Sequence, residues 1–526
     1  MPTLDVNGFH IDKKSISEAK LASIKSRLTV SPRSMDGAET VEYEQFTETD
    51  NVLTVPRFFG MLEFQKEKID NKLSDKQNHL EFTKTLRNYQ EDITKTCLDH
   101  LQKFGGGLLS IGCGRGKTVI ALNIACALKM KTLVVVHKEF LQNQWAERIE
   151  QFTNASTGII RSKKADVKDK DIVVAMIHSI SKRDYGDIFK DFGFVIYDEA
   201  HHTPAKMFSN TLKRTGAKYL LALSATPYRN DGLIKILHWY VGDTIYREGA
   251  RPNPAVCVKL INYKSKHPKF IEKRTWSAGK VRPNLPMTIN NIYPIKDRTK
   301  IITKVLEELR KDTARKILVL SSRKHHLQKI KNKIDLNIKK DIEKGKLKDD
   351  EYNTFYYIGD MNENERKEAE AYGDMLFGTY DLAHEGLDIA RLNTVVLATP
   401  KKDIVQTVGR IQRNILTPGD IRPLIVDFAD NIPIFQKHCD IRTKYYKTSQ
   451  YSIEKYYCED REFVLPSKFY GTPVDKDIEA QRDKFTKVRN ICKTEPVSEA
   501  DLLTCTATPV IKTKQTYSRS LFGKKK

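Results

Sequence analysis

No two cysteines in this chain form a C-x-x-C pair. The eight are scattered, at Cys97, Cys113, Cys126, Cys257, Cys439, Cys458, Cys492 and Cys505. That excludes a zinc site built on such pairs and fits a reducing compartment. Met1 to Lys20 lacks an apolar core of signal-peptide length, and no stretch reaches the roughly 20 apolar residues that span a bilayer. The longest apolar region, Val119 to Val136, is cut by Lys129 and Lys131. No membrane partner is expected, and a soluble intracellular protein is. The sequence has no internal repeat. Acidic charge is scarce: 67 Asp and Glu stand against 90 Lys and Arg, for a net charge of +23. The excess suits a polyanion, most simply nucleic acid. A basic but indifferent surface is the other reading of the same number.

The 526 residues leave room for two or three domains. Residues 1–84 are mixed and polar, with strand-like pieces at 28–30 and 52–55 and a turn expected at Pro56-Arg57-Phe58-Phe59-Gly60; they are read as a small accessory domain. From residue 85, apolar β-branched runs alternate with helical segments: 108–111, 132–136, 171–176, 194–197 and 219–224. Nearly continuous apolar strands separated by helices predict a parallel sheet covered on both faces. A second series at 317–320, 354–358, 375–379, 394–398 and 424–426 predicts a second such sheet. The expected divisions are therefore α/β domains at 85–250 and 298–465, a proline-rich connector at 251–297, and an extension at 466–526 ending in a basic tail. Residues 331–351 alternate charge and predict a solvated helix.

Between the apolar run 108–111 and a helix beginning near Lys117 lies Gly112-Cys113-Gly114-Arg115-Gly116-Lys117-Thr118. Glycines at alternate positions let the backbone turn tightly and aim its N–H groups at phosphate oxygens, and the helix N-terminus adds its positive end. Lys117 is placed to bridge the β- and γ-phosphates of a nucleoside triphosphate, and Thr118 to offer its hydroxyl to Mg²⁺. One departure is visible, because the G-x-x-x-x-G-K-[ST] pattern wants glycine where Ile111 stands. The strand 194–197 runs into Asp198-Glu199, so both carboxylates emerge at a strand's carboxyl end. Asp198 suits Mg²⁺ held through water, and Glu199 suits polarising the water that attacks the γ-phosphorus. His201 and His202 follow. Adjacent histidines point different ways on a helix, against the i, i+4 spacing of a helical zinc pair, and His201 is read as coupling nucleotide state to the polymer.

Ser224-Ala225-Thr226-Pro227 follows another apolar strand. The hydroxyls of Ser224 and Thr226 suit a relay toward the acidic pair and serve equally well as a capping turn. In the second series, Glu385-Gly386-Leu387-Asp388 follows a strand, with Asp388 counted among the nucleotide contacts. Gln406, Arg410 and Arg413 are spaced by four and three, which places them on one helical face. That face is either a solvated stripe or a set of groups brought from the second domain to the phosphates. A guanidinium there fits the spread charge of phosphoryl transfer.

The order of these segments resembles the superfamily 2 helicases and translocases. Leu86-Arg87-Asn88-Tyr89-Gln90 is similar to their entry motif, in which Gln90 would read adenine. Thr132-Leu133-Val134-Val135-Val136-His137-Lys138 with Leu141-Gln142-Asn143-Gln144-Trp145, Ser224 to Gly232, and Ala383 to Ile389 with Leu397 to Lys401 resemble the XPB-like branch. Within it, Val55-Pro56-Arg57-Phe58-Phe59-Gly60 and the length are most similar to the poxvirus-type transcript-release DNA helicases of large nucleocytoplasmic DNA viruses. The resemblance covers residues 50–450. It implies two RecA-like domains and ATP with Mg²⁺. It implies 3′→5′ movement on duplex or forked DNA held at its phosphate backbone, and RNA polymerase or transcription factors as further partners. Residence in virions and host cytoplasm is implied as well. XPB carries Arg-Glu-Asp near the position of Arg229-Asn230-Asp231, so translocation is expected to exceed strand separation. An RNA helicase and a non-motor, nucleotide-gated subunit of a transcription complex are the alternative readings.

Overall fold

The computed structural model describes residues 1–31, 42–112, 114–199, 205–225, 234–249, 252–277, 279–385, 389–409, 411, 419–460, 465 and 469. The architecture is α/β, with two large parallel-strand sheets in tandem. The first has the strand order Lys164–Ala165, Thr157–Arg161, Ile172–Met176, Thr132–Val136, Phe194–Asp198, Tyr219–Ser224, Gly106–Ser110, Thr244–Arg247. All neighbours are parallel except the first pair. Side chains alternate between two cores, as a doubly covered sheet requires. Leu133, Val135, Val195 and Tyr197 pack into one; Val134, Val136, Phe194 and Ile196 pack into the other.

The second sheet runs Thr354–Tyr357, Met375–Thr379, Ile317–Ser321, Thr394–Leu397, Leu424–Asp430, Cys257–Lys264, Ser452–Glu459, all parallel. One strand here departs from the expected organisation. Cys257–Lys264 falls within the stretch read as a connector, yet it lies inside the sheet between two neighbours. Its apolar run is broken by Lys259, which is 4% exposed and pairs with Glu454 at 2.5 Å on the adjoining strand. The rest of that stretch holds a two-stranded antiparallel ribbon, Arg274–Ser277 with Lys280–Pro283, and the helix Leu285–Ile292. The charged helix is also different from its expectation. It spans Lys324–Glu343 and buries Leu327, Ile330, Ile334 and Ile338 along one stripe, so only its other faces are solvated.

Ahead of both stands a sheet of five short strands, in the order Thr47–Glu48, Val52–Val55, Gly8–Asp12, Thr3–Asp5, Asp70–Asn71. The segment expected to turn at Pro56 is instead the helix Arg57–Glu63, with Pro56 as its N-cap residue. Proline suits a helix start, where its missing N–H is not needed. Arg57 is buried and donates to the carbonyls of Ala217 at 2.7 Å and Lys218 at 3.0 Å. Leu4, Phe9 and Phe59 share a core with Val195 and Leu220, so this part packs directly on the first large sheet.

Candidate active site

Three neighbouring strands, Phe194–Asp198, Tyr219–Ser224 and Gly106–Ser110, deliver their carboxyl ends to one edge of the first sheet. Ser224 pairs in register with Ser110, and the Ile111 N–H donates to the Ser224 carbonyl at 3.2 Å. Ile111, the departure from the glycine pattern, directly follows the strand and is 1% exposed within the core. The turn itself falls on Gly114 and Gly116, with φ of 75° and 76°. A Cβ on Gly116 would sit 2.4 Å from the Gln90 amide nitrogen. Gln90 is buried at the start of the helix Asn88–Phe104; its Nε2 donates to the Arg115 carbonyl at 3.3 Å and its Oε1 accepts from the Arg87 N–H at 3.0 Å. The entry motif thus props the glycine loop from behind.

Lys117 and Thr118 open the helix Lys117–Leu128, both half-buried. The Lys117 ammonium lies 2.8 Å from Glu199 Oε1. Glu199 has a left-handed backbone, φ 48°, immediately after its strand. Asp198 accepts from the Trp145 indole N–H at 2.8 Å, across from the helix Glu139–Phe152. Burial and the neighbouring Glu199 charge push Asp198 above the usual carboxylate range, while Lys117 and the Trp145 N–H pull it back. The glycine loop is held by a carboxylate too. Glu248 Oε2 accepts from the Gly112 N–H at 3.0 Å, and its Oε1 pairs with Arg115 Nε at 3.1 Å. The Arg115 guanidinium also stacks 3.5 Å from the Tyr89 ring centre.

Gln406 lies in the short helix Val405–Gly409 of the second domain, 2% exposed. Cys113, His201, Thr226, Asp388, Arg410 and Arg413 lie outside the described residues, as does Arg229-Asn230-Asp231. Sequence reasoning missed two buried ion pairs that hold the approach to Gln406. Arg298 bonds Asp430 at 2.7 and 2.9 Å and donates to the Ala398 carbonyl at 2.8 Å. Arg442 bonds Asp427 at 2.8 Å through two nitrogens and donates to the Lys401 carbonyl. Tyr446 donates to Asp427 at 3.0 Å. The Ala398–Lys401 loop is therefore gripped at both ends by guanidinium groups. Nothing in the local sequence marked either pair, because the partners stand on separate elements.

The donor set fits a magnesium nucleotide. The Gly112 backbone N–H at the start of the glycine loop already holds one carboxylate, so this loop accepts an anion. Beside them are an ammonium, a hydroxyl and two carboxylates.

The family described as "Type III restriction enzyme, res subunit" matches residues 83–229, and "Helicase conserved C-terminal domain" matches residues 299–415. A protein of Acanthamoeba polyphaga mimivirus, named as an ATP-dependent RNA helicase, L396, is 35% identical over 86% of this chain and 86% of its own length. The DNA 3′-5′ translocase XPB2 of Sulfurisphaera tokodaii is 33% identical over 31% of this chain and 36% of that protein. Among solved structures, a fragment named as the HsdR subunit of a type I restriction enzyme from Vibrio vulnificus aligns with a TM-score of 0.51. It covers 85% of this chain and 83% of that one at 17% identity, a likeness of fold. No helix among the described residues is long and apolar enough to cross a membrane.

Proposed function

The chain belongs to the superfamily 2 helicases, in the XPB-like branch that large DNA viruses carry, and on that footing we propose that it is a DNA-dependent ATPase that moves 3′→5′ along duplex or forked DNA. Membership brings ATP-driven helicase chemistry. The observation that carries the site assignment is the contact of Lys117 with Glu199 beside Asp198, at the strand edge where the glycine loop ends. In this reading Gly112, Cys113, Gly114, Arg115 and Gly116 cradle the phosphates and Lys117 binds them. Thr118 and Asp198 hold Mg²⁺, Glu199 orients water, and Gln90 meets the base. Bound Mg²⁺ would supply charge neutralisation at the phosphates. Lys117 leaves Glu199 for the phosphate oxygens, which frees the Glu199 carboxylate to accept from water. Gln406, Arg410, Arg413 and Asp388 complete the site from the second domain, and His201, Ser224 and Thr226 couple it to the polymer. The net charge of +23 supports a phosphate-backbone grip with little sequence preference. Service in transcript release beside a viral RNA polymerase, in virions and host cytoplasm, is the role we assign to the motor.

The mimivirus relative's name favours RNA as a second reading. ATP hydrolysis by the purified protein at low salt, with no polymer, single-stranded DNA, duplex DNA or RNA, tests both. We expect stimulation by DNA above RNA. Stimulation by RNA alone overturns the DNA assignment, and none with any polymer overturns the motor.

A further inference from the structure

The ribbon Arg274–Ser277/Lys280–Pro283 belongs to neither large sheet. A lone two-stranded ribbon is marginal in water and needs an anchor. Here the anchor is at its base. The Lys273 N–H donates to Thr288 Oγ1 at 3.0 Å, and the Asn284 N–H donates to the Lys273 carbonyl at 2.7 Å. Glu272 accepts from the Ile434 N–H at 3.0 Å and from Arg274 Nε at 2.8 Å. Above this base the register sets Trp276 opposite Val281 and Arg274 opposite Pro283. Strand alternation puts these four on one face, and all four are exposed. The other face carries Thr275, which accepts from Asn284 Nδ2 at 3.4 Å near the base, and, at the end away from the base, the exposed Lys280.

Trp276 is 73% exposed and Val281 55%, with Ile271 at 49% and Met287 at 45% close by in the chain. The other two tryptophans, Trp145 and Trp239, are 1% and 9% exposed. An indole and its apolar neighbours held out on a ribbon mark a contact surface. Charge says what covers it. Lys273, Arg274, Lys280 and Arg282 stand on or beside this ribbon, and its one carboxylate, Glu272, has a side chain only 8% exposed that already accepts from Arg274. An aromatic face among cations suits unpaired nucleobases: every base has a π-face to stack, and the cations meet the phosphates on either side. An acidic apolar peptide would meet the same cations but would leave the indole face without a planar partner.

We infer that this ribbon is a stacking site for unpaired nucleobases, with Trp276 as the platform and Arg274 and Lys280 as phosphate contacts. The inference rests on the reading of the chain as a nucleic-acid motor. It adds a place where single-stranded character is recognised, outside the nucleotide site.

The test uses the full chain without ATP and fluorescein-labelled oligothymidine, oligouridine and a blunt DNA duplex, titrated by anisotropy at several salt concentrations. Trp276→Ala should weaken both single strands by about 5- to 150-fold. It should change duplex binding little and leave the slope against log salt as in wild type. Trp276→Phe should restore most of the loss. Arg274→Ala with Lys280→Ala should lower the salt slope. Oligothymidine should also quench wild-type tryptophan fluorescence, and that quenching should vanish in Trp276→Phe. Single-strand affinity within twofold of wild type in Trp276→Ala overturns the inference and leaves the ring to a protein partner. Equal loss on single strands and duplex with a reduced slope also overturns it, as a general charge effect. Wild-type ATP hydrolysis is measured alongside. Polymer stimulation with an unaffected Trp276→Ala titration removes the stacking site and leaves the motor. A Trp276-dependent titration without stimulation removes the motor and leaves the stacking site.

Discussion

Replacing Asp427 by asparagine would test how the second domain holds its arginine-bearing segment. Asp427 and Arg442 are 0% and 1% exposed at their side chains and share two bonds of 2.8 Å. Burial pulls the Arg442 guanidinium down, and the Asp427 charge outweighs that and raises it. Removing one member of such a pair leaves an uncompensated buried charge, a loss of about 3–5 kcal/mol. Set against a total of about 5–15 kcal/mol, that is a large fraction. With a urea slope of about 2 kcal/mol per molar, the midpoint should fall by about 1.5–2.5 M when followed by far-ultraviolet circular dichroism. Asp427→Leu with Arg442→Met removes both charges and should recover most of the loss, short by about 1 kcal/mol for the orphaned Tyr446 hydroxyl. The double variant still lacks the grip on the Lys401 carbonyl. A hydrogen bond from a charged donor is worth about 1.5–3 kcal/mol, which sets a ceiling of about 10- to 150-fold on the fall in ATP turnover. Nucleotide binding by the first domain should persist. An Asp427→Asn midpoint within 0.5 M of wild type, on the order of 1 kcal/mol at that slope, would refute the reasoning.

Two further outcomes are expected. Lys117→Ala or Glu199→Gln should abolish DNA-stimulated ATP turnover, and rates near wild type in either variant would sink the site assignment. His326 is wholly buried against Ser321, and burial, aided by the Arg298 and Lys329 charges, holds it well below the ordinary imidazole range. The unfolded chain therefore binds a proton that the folded chain refuses. The stabilisation is present above about pH 6.5 and is lost as pH falls from there toward the folded value, at about 1.4 kcal/mol per pH unit. Urea midpoints at pH 7.5 and 5.5 should differ accordingly in wild type and much less in His326→Gln; equal slopes in the two proteins would exclude His326 as the source.

What could be read in advance was local. Strands such as Thr132–Val136 and Ile317–Ser321 are apolar at every position, because both faces of each sheet are covered, and that needs no knowledge of the partner. The glycine loop, Asp198-Glu199 and Ser224 were legible for the same reason, since each is the residue run that follows such a strand. What escaped depends on residues far apart in the chain. Cys257–Lys264 was hidden because Lys259 looks unfit for a sheet interior until Glu454 and the Tyr456 ring stand beside it. Arg57-Phe58-Phe59 gave no helical period in so short a run, and its helix is secured by carbonyls at Ala217 and Lys218. Trp145 was in view as part of a motif, but its bond to Asp198 was not, and Glu248 carried no signal at all.

Glu248 follows directly on Thr244–Arg247, the last strand of the first sheet, and begins the stretch 248–256 that leads into Cys257–Lys264 inside the second. Its carboxylate grips Gly112 and Arg115. The strand end that leads toward the second sheet is thus fastened to the glycine loop. An anion that took the Gly112 N–H would compete with Glu248 for it, while Arg115 keeps its own hold on the same carboxylate.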